Sequence, residues 1–168
     1  TELRKDLIVT PADKPDVRVD SIEVAQFVYL LLNNSKITEV INTVFQKGVL
    51  ILGRFTSERK QVLDSIRDKL RNNGYLPILF DFTKPDNPGL LETVMTLTGL
   101  VRFIIADITS ATMVREELRS VVEKFPSKPI QPLLLNSEKE YVTFPEIKLD
   151  FKSILEPFKY NSIKDILS

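Results

Sequence analysis

From Gly48 to Leu135 short apolar runs alternate with amphipathic stretches, and that alternation restricts the chain to a parallel sheet covered by helices on both faces. GVLILG, Gly48 to Gly53, is near-continuously apolar, as strands buried on both faces of a parallel sheet are. After Arg54, Phe55 and Thr56, the segment SERKQVLDSIRDKLRNNG sets Val62, Leu63, Ile66 and Leu70 at helical spacing, with Ser57 placed to cap its start and Gly74 its end. YLPILFD is a second strand, put at an edge by Pro77, which lacks the donor an inner ladder needs. The loop DFTKPDNPG leads to a short helix, LLETVMTLTGL. VRFIIAD is the third strand, SATMVREELRSVVEKF the next helix, and PIQPLLL a fourth strand whose prolines indicate an interruption or an edge.

Short connections imply right-handed crossovers and a three-layer α/β sandwich. With the most apolar strands, first and third, in the middle, the pattern fits a flavodoxin-like central parallel sheet of order 2-1-3-4-5, whose switch point lies between strands one and three. Beyond Asn136 the chain is expected to form a short helix around Tyr141 to Ile147, a fifth strand near Ser153 to Tyr160 and a closing helix at Ser162 to Leu167. Ahead of the α/β domain at 47–168, residues 1–20 read as a linker or extended arm, with Pro11 and Pro15. Residues 21–46 read as a helical hairpin. Its first helix is capped by Ser21 and has an apolar stripe of Ile22, Ala25, Phe27, Val28, Leu31 and Leu32. The second helix, Ser35 to Phe45, turns Ile37, Val40, Ile41, Val44 and Phe45 inward. Such a hairpin has too little surface to fold alone and needs cover from the following domain, a preceding one or a second copy.

At 168 residues and 43% hydrophobic content the chain suffices for one compact domain with an appendage. Lys+Arg and Asp+Glu both number 23, with no basic block, so no nucleic-acid partner is expected. Without His or Cys, thiol nucleophiles, histidine bases and the usual zinc sites are excluded, and no metal is expected. Chemistry falls to carboxylates, hydroxyls, Lys, Arg, Tyr and backbone amides. No apolar run approaches 18 residues and no leader pattern is present, which reads as a cytoplasmic protein with no membrane partner. A start at Thr1 rather than Met suggests a piece of a longer polypeptide, although processing or tag removal would leave the same end.

Ligands of open α/β sheets bind beyond the carboxyl ends of the strands. In the loop after strand one, Arg54, Thr56 and Ser57 precede a helix start; they suit an anion held by Arg54 and backbone amides, or equally an ordinary turn with a solvated Arg. Asp107 at the end of strand three can accept from a ribose hydroxyl or close an Asx-turn, and Thr109 or Ser110 can cap the following helix. On that helix Val114, Leu118, Val121 and Val122 define the buried stripe. Glu117 falls at its margin while Glu116 points away. Glu117 can thus be a carboxylate tuned by desolvation, or a solvated helix flank. Asp81, Phe82, Lys84 and Asp86 lie in a loop that serves as a lid or partner surface, or simply as a proline-rigidified connection.

With GVLILGR, FIIADIT and the Glu117–Leu118 pair in view, the stretch from Gly48 to Leu135 resembles bacterial TIR-like (Toll/interleukin receptor) domains and the related nucleoside 2-deoxyribosyltransferase-like fold. With the RVDSIEVAQFVYLLLNN lead-in, the unit is similar to the C-terminal module of cyanobacterial-type pentapeptide-repeat proteins. The resemblance implies a signalling or effector domain with Glu117 catalytic at an N-glycosidic bond of NAD or a related nucleotide, which is substrate, no cofactor being required. It implies a nucleotide pocket lined by Arg54, Thr56, Asp81, Asp107, Thr109 and Ser110. Assembly would use Lys84, Pro88 and Gly89, which sit where TIR domains carry a Pro-Gly loop, together with Phe27 and Leu31 of the hairpin; the partners are further copies and an upstream domain. The chain departs from these families in having no Trp and in lacking the Asn and Gly of the deoxyribosyltransferase signature. A non-catalytic assembly module or nucleotide sensor is the alternative.

Overall fold

A computed structural model describes residues 7–82, 89–109, 112–138 and 150–168, without the side chains of 112–116. It divides into two compact units, Thr1–Thr43 and Val44–Ser168.

In the first unit the stretch read as an arm contains an antiparallel hairpin, β1 (Leu7–Ile8) against β2 (Arg18–Val19). Thr10 fixes its turn: the hydroxyl donates to the Pro15 carbonyl at 2.9 Å and accepts from the Val17 amide at 3.1 Å. Helix α1 (Ile22–Asn33) starts at Ser21, whose hydroxyl accepts from the Val24 amide at 3.4 Å. Asn34 separates it from α2 (Ser35–Lys47), and its side chain accepts from the Ile37 amide at 3.1 Å. The broad buried stripe expected of α1 does not form. No residue of α1 is buried, and only Ala25, Val28 and Leu31 are half-buried, a line at spacing three. Phe27 stays 54% exposed. A helix apolar nearly all round cannot hide every side in a two-helix appendage.

The second unit is the expected three-layer sandwich. Strands β3 (Gly48–Gly53), β4 (Leu76–Asp81), β5 (Phe103–Asp107), β6 (Ile130–Leu135) and β7 (Phe158–Tyr160) form a parallel sheet of order β4-β3-β5-β6-β7, the flavodoxin-like 2-1-3-4-5. Helices α3 (Ser57–Asn72), α4 (Leu90–Leu100), α5 (Thr112–Lys124) and α6 (Ile163–Leu167) flank it. All of β3 is buried. Its side chains alternate between two cores: Leu50 and Leu52 join Val94 of α4 and Leu118, Val121 and Val122 of α5, while Val49 and Ile51 join Val62, Leu63 and Ile66 of α3. Each such fully buried aliphatic side chain stabilises the fold by about 1.5–3 kcal/mol.

Pro77 lies on the edge strand as expected. Of the two meanings left open for the prolines of the fourth strand, the edge does not hold: β6 is interior, between β5 and β7, as the order 2-1-3-4-5 requires. The interruption does hold, in the outward ladder. Ile130 pairs with the Ser153–Leu155 segment, and pairing resumes only at Leu133 opposite Phe158. Pro132 is in phase with Ile130, so its missing donor faces this gap. The Gln131 amide bridges instead, donating to the Glu156 carbonyl at 2.9 Å. The cap of α3 is Thr56 rather than Ser57, because the chain turns helical one residue earlier than the apolar spacing alone indicates. The helix expected at Tyr141 to Ile147 lies outside the described residues.

Candidate functional site

Parallel strands bring the ends of β3, β4 and β5 together at one edge: Gly53 pairs with Asp81, and Leu52 with Ala106. The approach is close. A Cβ on Gly53 would lie 3.0 Å from Leu63 Cδ1 and 3.4 Å from Asp107 Cβ, which explains glycine at this position.

Strand alternation sorts the expected site residues onto two faces. Asp107 shares the phase of Ile105 and points toward α3, where it is 2% exposed. Its Oδ2 accepts from Arg59 Nε at 2.9 Å and Nη2 at 2.7 Å, and its Oδ1 accepts from the Thr109 amide at 3.1 Å. Arg59 Nη2 also donates to the Tyr160 hydroxyl, a short contact, with the guanidinium 5.6 Å from that ring's centre. Burial works against the Arg59 charge, but the adjacent Asp107 carboxylate and the hydrogen bonds to Tyr160 and Asp107 outweigh it and hold the guanidinium above its ordinary range. Burial pushes the Tyr160 phenol up, against the hydrogen bond from Arg59. Asp107 is therefore committed to an internal ion pair, and it closes the Asx-turn that the sequence left open as one of two roles.

Thr109 and Asp81 also hold the edge in shape. The Thr109 hydroxyl accepts from the Leu135 amide at 3.1 Å, tying the end of β5 to the end of β6 rather than capping α5 through that bond. Asp81, exposed at the end of β4, accepts from the Phe55 amide at 3.0 Å and so fixes the loop after β3.

Arg54 and Glu117 belong with the other face. Arg54 follows Leu52 by two residues, in phase with the α4/α5 side, whereas Phe55 packs in the α3-side core. Arg54 is half-buried, and its Nε is shielded from solvent with no hydrogen-bond partner among the described residues. Thr56 caps α3 with its backbone but not its side chain, so the first amides of that helix have no side-chain acceptor from it. Glu117 is half-buried at the margin of the α5 stripe, immediately before Leu118, which is 0% exposed. Its Oε2 is shielded from solvent. Asp107 is thus turned toward α3, while α5, which carries Glu117, packs on the opposite face.

Ser110, Lys84 and Pro88 lie outside the described residues. Gly89 caps α4 with φ 96°, a left-handed conformation that favours glycine. Phe27 is exposed and Leu31 half-buried on α1. Sequence reasoning missed Arg59 and Tyr160. One signal was available for Arg59: a cation in the first turn of a helix opposes the helix dipole and so calls for an anion beside it.

The fold and this edge define a flavodoxin-type α/β sandwich. No protein-family model matches the chain, and no curated protein matches it. Among solved structures it is similar to a flavo-di-iron protein variant from Thermotoga maritima, with TM-score 0.55 and 15% identity over 71% of this chain. The chain spans only 33% of that protein's length. It is also similar to a CMP N-glycosidase from Clostridium botulinum, with TM-score 0.53 and 15% identity, covering 71% of this chain and 95% of that one.

Proposed function

We propose that the α4/α5 side of the carboxyl edge is a nucleotide site of a TIR-like effector domain, and that Glu117 acts there at the N-glycosidic bond of NAD or a related nucleotide. The observation that carries this reading is the placement of Glu117: a half-buried carboxylate with one oxygen shielded from water, on the helix that follows the β5 carboxyl end. Shielding strengthens the attraction between a carboxylate and developing positive charge. Hydrolysis breaks the bond between ribose C1′ and the base nitrogen; the base leaves with the electron pair while C1′ gains cationic character. A water oxygen then bonds to C1′, and its proton passes by way of the Glu117 carboxylate to solvent, or to the departing base where that base leaves as an anion. Glu117 stabilises the cation and orients the water or the ribose hydroxyls. Arg54, in phase with that side, suits a phosphate. Asp81, Asp107 and Thr109 act by holding the loops in shape. The likeness in fold to a CMP N-glycosidase along nearly all of that enzyme's length supports the same reading.

The test is chromatographic measurement of base release from NAD and from CMP by wild type and by Glu117→Gln. Release by wild type and loss in the variant is the expected outcome. Equal release by both would remove Glu117 from the mechanism, and no release by either would favour the second reading. That reading, a self-associating module, draws on α1, which buries no residue and leaves Phe27, Tyr29 and Leu30 at 54%, 55% and 49% exposure. Further copies, or an upstream domain of the same polypeptide, are its proposed partners.

A further inference from the structure

Among the described residues one face of the sheet carries α4 and α5, with 11 and 13 residues, and the other carries the 16-residue α3 and the five-residue α6. Strand β7 contributes only three residues, and its ladder to β6 is interrupted beside Pro132. Among the described residues, the α3-side layer is open where the short helix meets the short strand. A cavity of about 230 Å³ opens there, lined by Ile66, Leu70, Ile105, Leu133, Phe158 and Ile166, with Lys69 and Gln131. It reaches the central strand: Ile105 is 9% exposed, whereas Ile104 beside it and Ile51 opposite it are at 0%.

The lining determines what would fit. An apolar cavity of about 150 Å³ accepts benzene, so this one has room for about eight to ten heavy atoms, too few for a peptide. The Gln131 amide nitrogen is already committed to the Pro132 and Glu156 carbonyls, at 3.0 and 2.9 Å. Among the described lining residues only Lys69 is charged; its ammonium donates to the Leu167 carbonyl and forms no salt bridge with them. Walls of Ile, Leu and Phe with one cation among them match a small amphiphile carrying one negative charge.

We propose that this cavity binds a small aliphatic carboxylate, its chain of about six to eight carbons lying on Ile105 and Leu133 and its carboxylate on the Lys69 ammonium. The site is on the α3 side and independent of Glu117. Titration of methyl-labelled protein with octanoate, octanol and octylamine, followed by two-dimensional NMR, tests it. Octanoate should shift the methyl signals of Ile66, Ile105, Leu133 and Ile166 saturably and bind more tightly than octylamine. Lys69→Met should weaken octanoate by up to roughly fivefold, the worth of an exposed ion pair, and leave octanol unchanged. Leu70→Trp, at the half-buried rim, should abolish the shifts; Leu70→Phe replaces it if the tryptophan variant loses its dispersed spectrum. Absence of saturable shifts, equal binding of octylamine, or shifts that survive a folded rim variant would each overturn the proposal.

Discussion

Arg59 places two donors on a single oxygen of Asp107: Nε and Nη2 approach Oδ2 at 2.9 and 2.7 Å. The other oxygen is left for the Thr109 amide. The pair is largely removed from water, with side chains 13% and 2% exposed, so removing one partner strands the other. Asp107→Ala and Arg59→Met should each destabilise the domain by about 3–5 kcal/mol. The double variant Arg59→Met/Asp107→Leu should lose less than the sum of the two. Urea denaturation measures all of these, and single-variant losses under about 1 kcal/mol would show that the pair is not stabilising in this way.

Tyr160 gives the same cluster a pH signature. A free phenol titrates near pH 10. Burial raises the folded value above this, the hydrogen bond from Arg59 opposing it. The proton is therefore held more tightly in the folded state than in the unfolded one. Its contribution is fully present below about pH 10 and is lost as pH rises through the higher folded value. Ultraviolet difference absorbance should show a phenol component titrating above pH 10, and Tyr160→Phe should remove it.

Under the proposed function, adjacent positions on α5 separate chemistry from packing. Leu118→Ala empties a site that is 0% exposed and should cost about 2–5 kcal/mol. Glu117→Gln keeps shape and volume and should hold the melting temperature near that of wild type while base release is lost. Calorimetry beside the chromatographic assay distinguishes them; a collapse of Glu117→Gln would reassign this carboxylate to structure.

On the hairpin, Phe27 is 54% exposed, so Phe27→Ser should change stability by no more than about 0.5 kcal/mol. Sedimentation velocity over a concentration series should show weaker association for this variant if copies meet through α1. Identical profiles would exclude Phe27 from any such contact.

What could be read from the sequence depended on whether the signal was local. β3 appears as GVLILG from end to end because double burial demands an unbroken apolar run. The edge position of β4 followed from Pro77 alone. Pro132 marked an interruption rather than an edge: a proline in an inner strand is tolerable where the neighbouring ladder has a gap, and that gap is made by residues more than 20 positions later. Glu117 fell at the margin of the α5 stripe, as helical phase indicated. The pleat, which turns alternate residues of β5 to opposite sides, directs Asp107 to Arg59 of α3, a contact no local pattern announces. Arg59 lies 48 positions from Asp107 and 101 from Tyr160, and no periodicity reports contacts at that separation.

The Tyr160 contact also bears on how the domain reaches its final state. Strands β3, β4 and β5 can pair once residue 107 exists, but the cover over Asp107 comes from a strand made more than 50 residues later. During synthesis, which proceeds at about 5–20 residues per second, the ion pair is exposed on one side for several seconds before β7 arrives. Closure of such a distant pairing bears a loop-entropy cost and belongs late on the folding route. A chain cut before Phe158 would keep most of its sheet yet leave the first turn of α3 without its aromatic anchor.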